Sequence, residues 1–171
     1  MRLHREMYWA WAHADLVSNA ERGIVAEYIV GTALNALTDT RREWDAWDLT
    51  TAEGIKIEVK SSGYVQSWNQ TEPSKIRFDI KESLSWYADT NSFDVEASRS
   101  ADIYVFCVHA EKDKSKADPL ETDQWEFYVL SSERIYEQLG KQKTVGLAKL
   151  IQIGCISAKF DELAETIKRA T

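Results

Sequence analysis

The stretch Ile55-Lys56-Ile57-Glu58-Val59-Lys60 (IKIEVK, residues 55 to 60) decides how this chain is read. Its side chains alternate strictly. Ile55, Ile57 and Val59 share one face, and Lys56, Glu58 and Lys60 share the other. That is the pattern of a half-buried strand. Glu58 and Lys60 then project the same way, roughly 7 Å apart at their Cα atoms for two strand steps. A carboxylate and an ammonium so spaced can hold a metal ion and stand beside its bound water.

Upstream, residues 44 to 49 read as a second strand, with a turn signal at Gly54. Pairing Thr51 with Ile55 around a three-residue loop puts Gly54 in the left-handed position such loops need. Asp48 then falls opposite Glu58. Two converging carboxylates suit a hard divalent cation such as Mg²⁺, which takes few oxygen ligands and keeps waters. Asp45 is a rival for this role, but it would point to the opposite strand face.

Before the hairpin, residues 19 to 37 read as a helix with Asn19 as N-cap. Helical spacing gathers Ala20, Gly23, Ile24, Val30, Gly31 and Leu34 on one sector, with Glu27 at its middle. A carboxylate there is costly unless it is paired or binds a cation. The plainer alternative is a Glu bonded to a buried backbone group or an arginine. For Glu58 and Lys60 the plainer alternative is an ion pair on a solvated strand face, worth little to stability.

The rest of the chain supplies a scaffold. Residues 3 to 18 read as an aromatic-rich helical lead-in, and Lys75 to Ile80 as a strand after the breaker Pro73. Residues 81 to 100 read as loop or short helix. Ala101 to Val108 (ADIYVFCV) reads as a buried strand, and Trp125 to Leu130 as another. Ser131 or Ser132 caps a short helix ending at Gly140, and Ser157 to Ala170 reads as a closing helix. The order implies an α/β or α+β domain around one sheet, with residues 1 to 171 as a single domain.

Composition narrows the function. The chain has 171 residues, 44% of them hydrophobic and 29% charged, with a net charge of −7. No run of about 18 apolar residues occurs, so no membrane span is expected. No apolar signal segment opens the chain, so a cytoplasmic location is expected. The acidity argues against coating nucleic acid by bulk charge, but not against an enzyme with a local grip. Cys107 and Cys155 lie in apolar stretches and read as buried free thiols, and with His4, His13 and His109 they show no zinc spacing.

These residues resemble the PD-(D/E)xK superfamily, the restriction-endonuclease-like nucleases. The resemblance lies in AERGIVAEYIVGTAL (residues 20 to 34), WDLTTAEGIKIEVKSSGYVQSW (residues 47 to 68) and, more loosely, ADIYVFCV (residues 101 to 108). It implies a central mixed β-sheet flanked by α-helices, with catalysis at the hairpin. It implies that Asp48, Glu58 and the Val59 carbonyl hold Mg²⁺ (or Mn²⁺), and that Lys60 orients or activates the attacking water. Glu27 would match the helix carboxylate that many members add beside or behind the metal. Gln66 resembles a glutamine that follows the strand in some branches. The departure is Trp47, where the superfamily's motif has proline before the aspartate.

The resemblance implies a nucleic acid partner, with DNA favoured, and a homodimer as one way to cut both strands. A rival reading is a silent binding module on the same fold. Another is an interaction module built on Trp9, Trp11, Trp44, Trp47, Trp68, Trp86 and Trp125, most of them expected to be core or half-buried. Trp68 and Tyr64 would be placed to stack on bases. Arg41, Arg42, Lys56, Lys75, Arg77, Lys81 and Arg99 could meet phosphate, as could the segment Lys141 to Lys149, although each also reads as solvated surface.

Overall fold

The computed structural model describes residues 2–43, 45–87 and 90–171. Its organising strand is β6 (Ile103–His109), which starts inside the run ADIYVFCV and ends one residue beyond it, and every residue of it is buried. Alternation sends Ile103, Val105 and Cys107 into one core and Tyr104, Phe106 and Val108 into another. A strand apolar on both faces needs cover on both, and this one has it.

On one edge β6 pairs in parallel with β2 (Lys56–Gly63), with Glu58 against Tyr104 and Lys60 against Phe106. β1 (Leu49–Thr50) adds antiparallel to β2. On the other edge β7 (Trp125–Ser131) and then β9 (Ile156–Ala158) add antiparallel. The central sheet thus has five strands in the order β1-β2-β6-β7-β9. It is the expected mixed sheet flanked by helices.

Helices α2 (Asn19–Ala33) and α5 (Leu163–Ala170) cover the face with Ile57, Val105 and Phe127. The opposite face, with Phe106 and Leu130, is covered by α3 (Ser132–Leu139), α4 (Leu147–Gln152) and a two-stranded sheet. That sheet pairs β3 (Arg77–Asp79) with β8 (Thr144–Gly146). Between them, β4 (Trp86–Tyr87) and β5 (Ser92–Phe93) form a small ribbon, and Ser83 bridges Ser98.

The hairpin follows the expected register. Leu49 faces Ile57 and Thr50 faces Lys56, while the Thr51 N–H donates to the Ile55 carbonyl at 3.0 Å. Gly54 takes φ +86. The first strand is shorter than expected: residues 45 to 48 run in irregular chain, and Trp44 lies outside the described residues. Asp48 still joins the ladder, its N–H donating to the Ile57 carbonyl at 3.0 Å.

Three helical expectations are corrected. Ser18, not Asn19, caps α2, its Oγ accepting the Glu21 N–H at 3.3 Å. The helix ends at Ala33 rather than residue 37, because Asn35 adopts φ +51 and the Ala36 N–H closes back on the Gly31 carbonyl. Its buried residues are Arg22, Val25, Ala26, Glu27, Ile29, Val30 and Gly31, so Glu27, Val30 and Gly31 are buried as expected, but the stripe is turned toward Arg22 and Val25; Ala20 is exposed, and Glu27 sits at the flank. Arg22 disguised the true stripe.

The closing helix starts at Leu163, not Ser157, because β7 still had a free edge and Ile156–Ala158 takes those hydrogen bonds. β8 and α4 were not foreseen within the basic segment Lys141 to Lys149. The lead-in helix α1 (Arg5–Ala12) buries no residue. Of the described tryptophans, Trp125 is buried, Trp47 and Trp86 are half-buried, and Trp9, Trp11 and Trp68 are exposed, fewer inside than expected. Both cysteines are free, Cys107 buried and Cys155 half-buried. No helix among the described residues is long and apolar enough to cross a membrane.

Candidate active site

The hairpin brings Asp48, Glu58 and Lys60 together at the β1 edge of the sheet. Asp48 bends across the strand pair: its Oδ2 accepts the Val59 N–H at 2.7 Å. Glu58 and Lys60 share the strand face that turns away from α2, and Lys60 Nζ lies 2.5 Å from Glu58 Oε1. Asp48 Oδ1 and Glu58 Oε2 have no hydrogen-bond partner among the described residues. The alternating strand and the Gly54 turn together create this convergence.

Electrostatics set the three groups apart from surface residues. Burial pushes the Asp48 carboxyl up, against the opposing pull of the Val59 N–H, Lys60 and Arg41. Burial also pushes Glu58 up, and the neighbouring Asp48 charge adds to it, while Lys60 pulls it down. Burial alone would draw Lys60 down, but Glu58 and Asp48 more than offset this and raise it. Lys60 is therefore a held cation at neutral pH. Two half-buried carboxylates, both raised by burial and Glu58 further by Asp48, form a site that favours added positive charge.

Glu27 approaches from α2. Burial and the Asp48 charge raise its carboxyl, and Arg41 opposes them. Its Oε2 accepts from Arg41 Nε at 2.8 Å, so the arginine-paired alternative describes its contacts. Two clefts meet at Asp48. One, of about 450 Å³, runs between α2 and residues 36 to 50. The other, of about 440 Å³, has Asp48, Glu58 and Lys60 on one wall and Leu84, Trp86 and Phe93 on another.

Gln66 is placed elsewhere. Its Oε1 accepts from Arg22 Nη2 at 3.3 Å and its Nε2 donates to the Gly63 carbonyl at 2.9 Å. Arg22 also donates to the carbonyls of Val17 and Val65, so Gln66 belongs to a buried clamp between α2 and the end of β2. Tyr64 lies half-buried past the same end, with the Lys112 ammonium 4.7 Å from its ring centre.

The expected phosphate-binding cations are mostly engaged. Arg99 is buried and donates to the carbonyls of Ile80, Gly140 and Gln142, so it ties loops together. Lys56 sits 4.3 Å from the centre of the Trp47 ring, and Lys81 pairs with Asp79 at 3.5 Å. Nothing local in the sequence announces the second cleft's far wall. Residues 81 to 100 are polar and aperiodic, and short cross-strand pairs together with the Arg99 hydrogen bonds hold the described part of the segment there.

No group of three or more His, Cys, Asp or Glu among the described residues is arranged to hold a metal. The donor set is two hard carboxylates with one oxygen of each unengaged. That fits Mg²⁺, which binds through one or two carboxylates plus water and substrate phosphate, and does not fit zinc.

The family comparison defines the class as nuclease. The model of the bacteriophage T4 endonuclease IV family matches residues 6–149. The chain belongs to that family, and so acts on nucleic acid. The match runs from α1 to the middle of α4 and includes every candidate catalytic and metal-binding residue named above. No curated protein matches the chain.

Proposed function

We propose that this nuclease is divalent-metal-dependent and belongs to the PD-(D/E)xK superfamily, with DNA as the favoured substrate. The observation that supports this most is the hairpin that brings the Asp48 carboxylate beside Glu58, with Lys60 next to Glu58 on its strand face. Asp48, Glu58 and the Val59 carbonyl would hold Mg²⁺ or Mn²⁺. The ion, when bound, supplies an activated water and charge neutralisation at the phosphate.

The protein's own groups do the rest. The Val59 N–H fixes the Asp48 carboxylate, so its other oxygen keeps one direction. Glu58 holds the Lys60 ammonium at the mouth of the second cleft. From there Lys60 donates to the attacking water or to a phosphate oxygen, where negative charge develops. Its raised pKa suits a cationic donor rather than a base. Glu27 stands behind Asp48, and Gln66 contributes through the α2–β2 clamp.

A second reading has a specific observation in its favour. α1 exposes Met7, Tyr8, Trp9 and Trp11, an aromatic patch suited to a protein partner. It is compatible with catalysis, and the proposal extends to a cytoplasmic enzyme working as a homodimer.

The test is titration calorimetry with Mg²⁺ beside a plasmid-cleavage assay, on wild type, Asp48→Ala and Glu58→Ala. Metal binding and cleavage in wild type, both lost in the two variants, are expected. Cleavage that persists in EDTA, or in both variants, would refute the metal site.

A further inference from the structure

We propose that Arg41 is a phosphate-binding residue of this site and that Glu27 is the positioning residue that aims it. The inference rests on the nuclease reading above and assigns Glu27 a task other than metal ligation.

Arg41 stands on the chain between α2 and β1, in the cleft that Glu27 and Asp48 also line. Its Nε donates to Glu27 Oε2 at 2.8 Å. Its Nη1 comes within 3.6 Å of Glu43 at the exposed rim, and Nη2 has no partner among the described residues. A guanidinium held at Nε keeps its two terminal nitrogens as a fork, and that fork matches two oxygens of a phosphate. Side-chain exposure gives the direction: 36% for Arg41 against 10% for Glu27. The carboxylate is the buried anchor and the guanidinium the presented group.

Charge explains why such a group is needed. Glu27, Asp39, Asp45 and Asp48 line this cleft, and Arg41 and Arg42 are its cations. A nucleic acid backbone entering it meets like charge. Arg42 is turned to Asp45 at 3.8 Å and is largely exposed. Lys60 serves the other cleft. Arg41 is thus placed to receive the phosphate next to the one at Asp48.

Among the described residues the Glu27 side chain hydrogen-bonds to Arg41 alone, and that bond occupies Oε2. This is the arrangement of a buried anion that orients an arginine.

The experiment measures binding of a short fluorescent oligodeoxynucleotide in EDTA across a salt series, with Mg²⁺ titration of the free protein alongside. For Arg41→Ala, affinity should fall at least about tenfold, and the slope of log K against log salt should drop by about 0.7 to 0.9, one phosphate contact. Arg41→Lys should keep the slope and lose affinity, because the charge survives and the fork does not. Glu27→Gln should also keep the slope, lose affinity, and bind Mg²⁺ as wild type does. An unchanged slope in Arg41→Ala would overturn the assignment of Arg41. Loss of Mg²⁺ binding in Glu27→Gln, matching Asp48→Ala, would overturn that of Glu27. Wild-type protein that neither binds the oligonucleotide nor cuts DNA would instead overturn the nuclease reading itself.

Discussion

Asp48→Asn should abolish metal binding yet stabilise the metal-free protein. The change is nearly isosteric, and the amide oxygen can still accept the Val59 N–H. What disappears is one negative charge facing Glu58 and Glu27, each of which it pushes up. For carboxylates roughly 5 to 7 Å apart at an effective dielectric constant of about 20, each repulsion is about 2 to 3 kcal/mol. The attractions of Asp48 to Lys60 and Arg41 are of similar size and largely cancel this. The cost of burying the charge, the largest influence on Asp48, is what remains. After relaxation and water access the net gain is about 1 to 2 kcal/mol, or roughly 2 to 8 °C in Tm for a chain of this length.

The pH dependence carries a sign. Asp48, Glu58 and Glu27 are all raised by the fold, so the folded state binds their protons more tightly than the unfolded chain does. Their contribution to metal-free stability is greatest near the unfolded carboxylate value, at about pH 4, and falls as pH rises through the raised values. Asp48→Asn should flatten that fall. Scanning calorimetry in EDTA, from pH 5 to pH 8 at roughly unit steps, reads both effects. Adding Mg²⁺ should raise Tm in wild type alone, since only a state that binds the ion gains from mass action. A variant no more stable than wild type at pH 7 in EDTA, or equally stabilised by Mg²⁺, would refute the reading of Asp48 as a metal ligand whose charge is costly to bury.

Lys60→Met should lower kcat by roughly 10²- to 10³-fold while Mg²⁺ affinity is kept or improved, because Glu58 loses its competing ammonium; calorimetry and single-turnover cleavage separate the two, and unchanged kcat would remove Lys60 from the chemistry. Gln66→Ala should cost about 1 to 2 kcal/mol, because buried Arg22 loses an acceptor, with kcat little changed at temperatures well below Tm. A large fall in kcat at unaltered Tm would instead put Gln66 among the groups that meet substrate. Gly54→Ala should cost about 1 kcal/mol through backbone strain alone, since φ is +86 and an added Cβ meets nothing within 4 Å; urea unfolding that shows no loss would mean the turn relaxes to another form.

The hairpin was legible because two short-range rules fix it: period-two alternation in residues 55 to 60, and a glycine where the loop turns left-handed. Register then followed by counting, and with it the facing of Asp48 and Glu58. β6 was legible for the same local reason, a run apolar at every step. What escaped the sequence depends on partners distant along the chain. Ile156–Ala158 is a strand because β7 offers an open edge, and nothing in those residues states that.

Arg22 shows the same limit from the energetic side. A charged residue in the buried stripe of α2 is tolerable because four polar acceptors meet it: the carbonyls of Val17 and Val65, Asn19 and Gln66, with Gly63 leaving the space for its approach. Once Arg22 is counted inside, the stripe shifts and Glu27 moves from its centre to its flank. That shift changes the chemistry. A carboxylate at the centre of an apolar face needs a cation from outside, whereas one at the flank can be met by Arg41 from a neighbouring segment. The position of one buried arginine therefore decides whether the helix carboxylate is read as a metal ligand or as the anchor of a second cation.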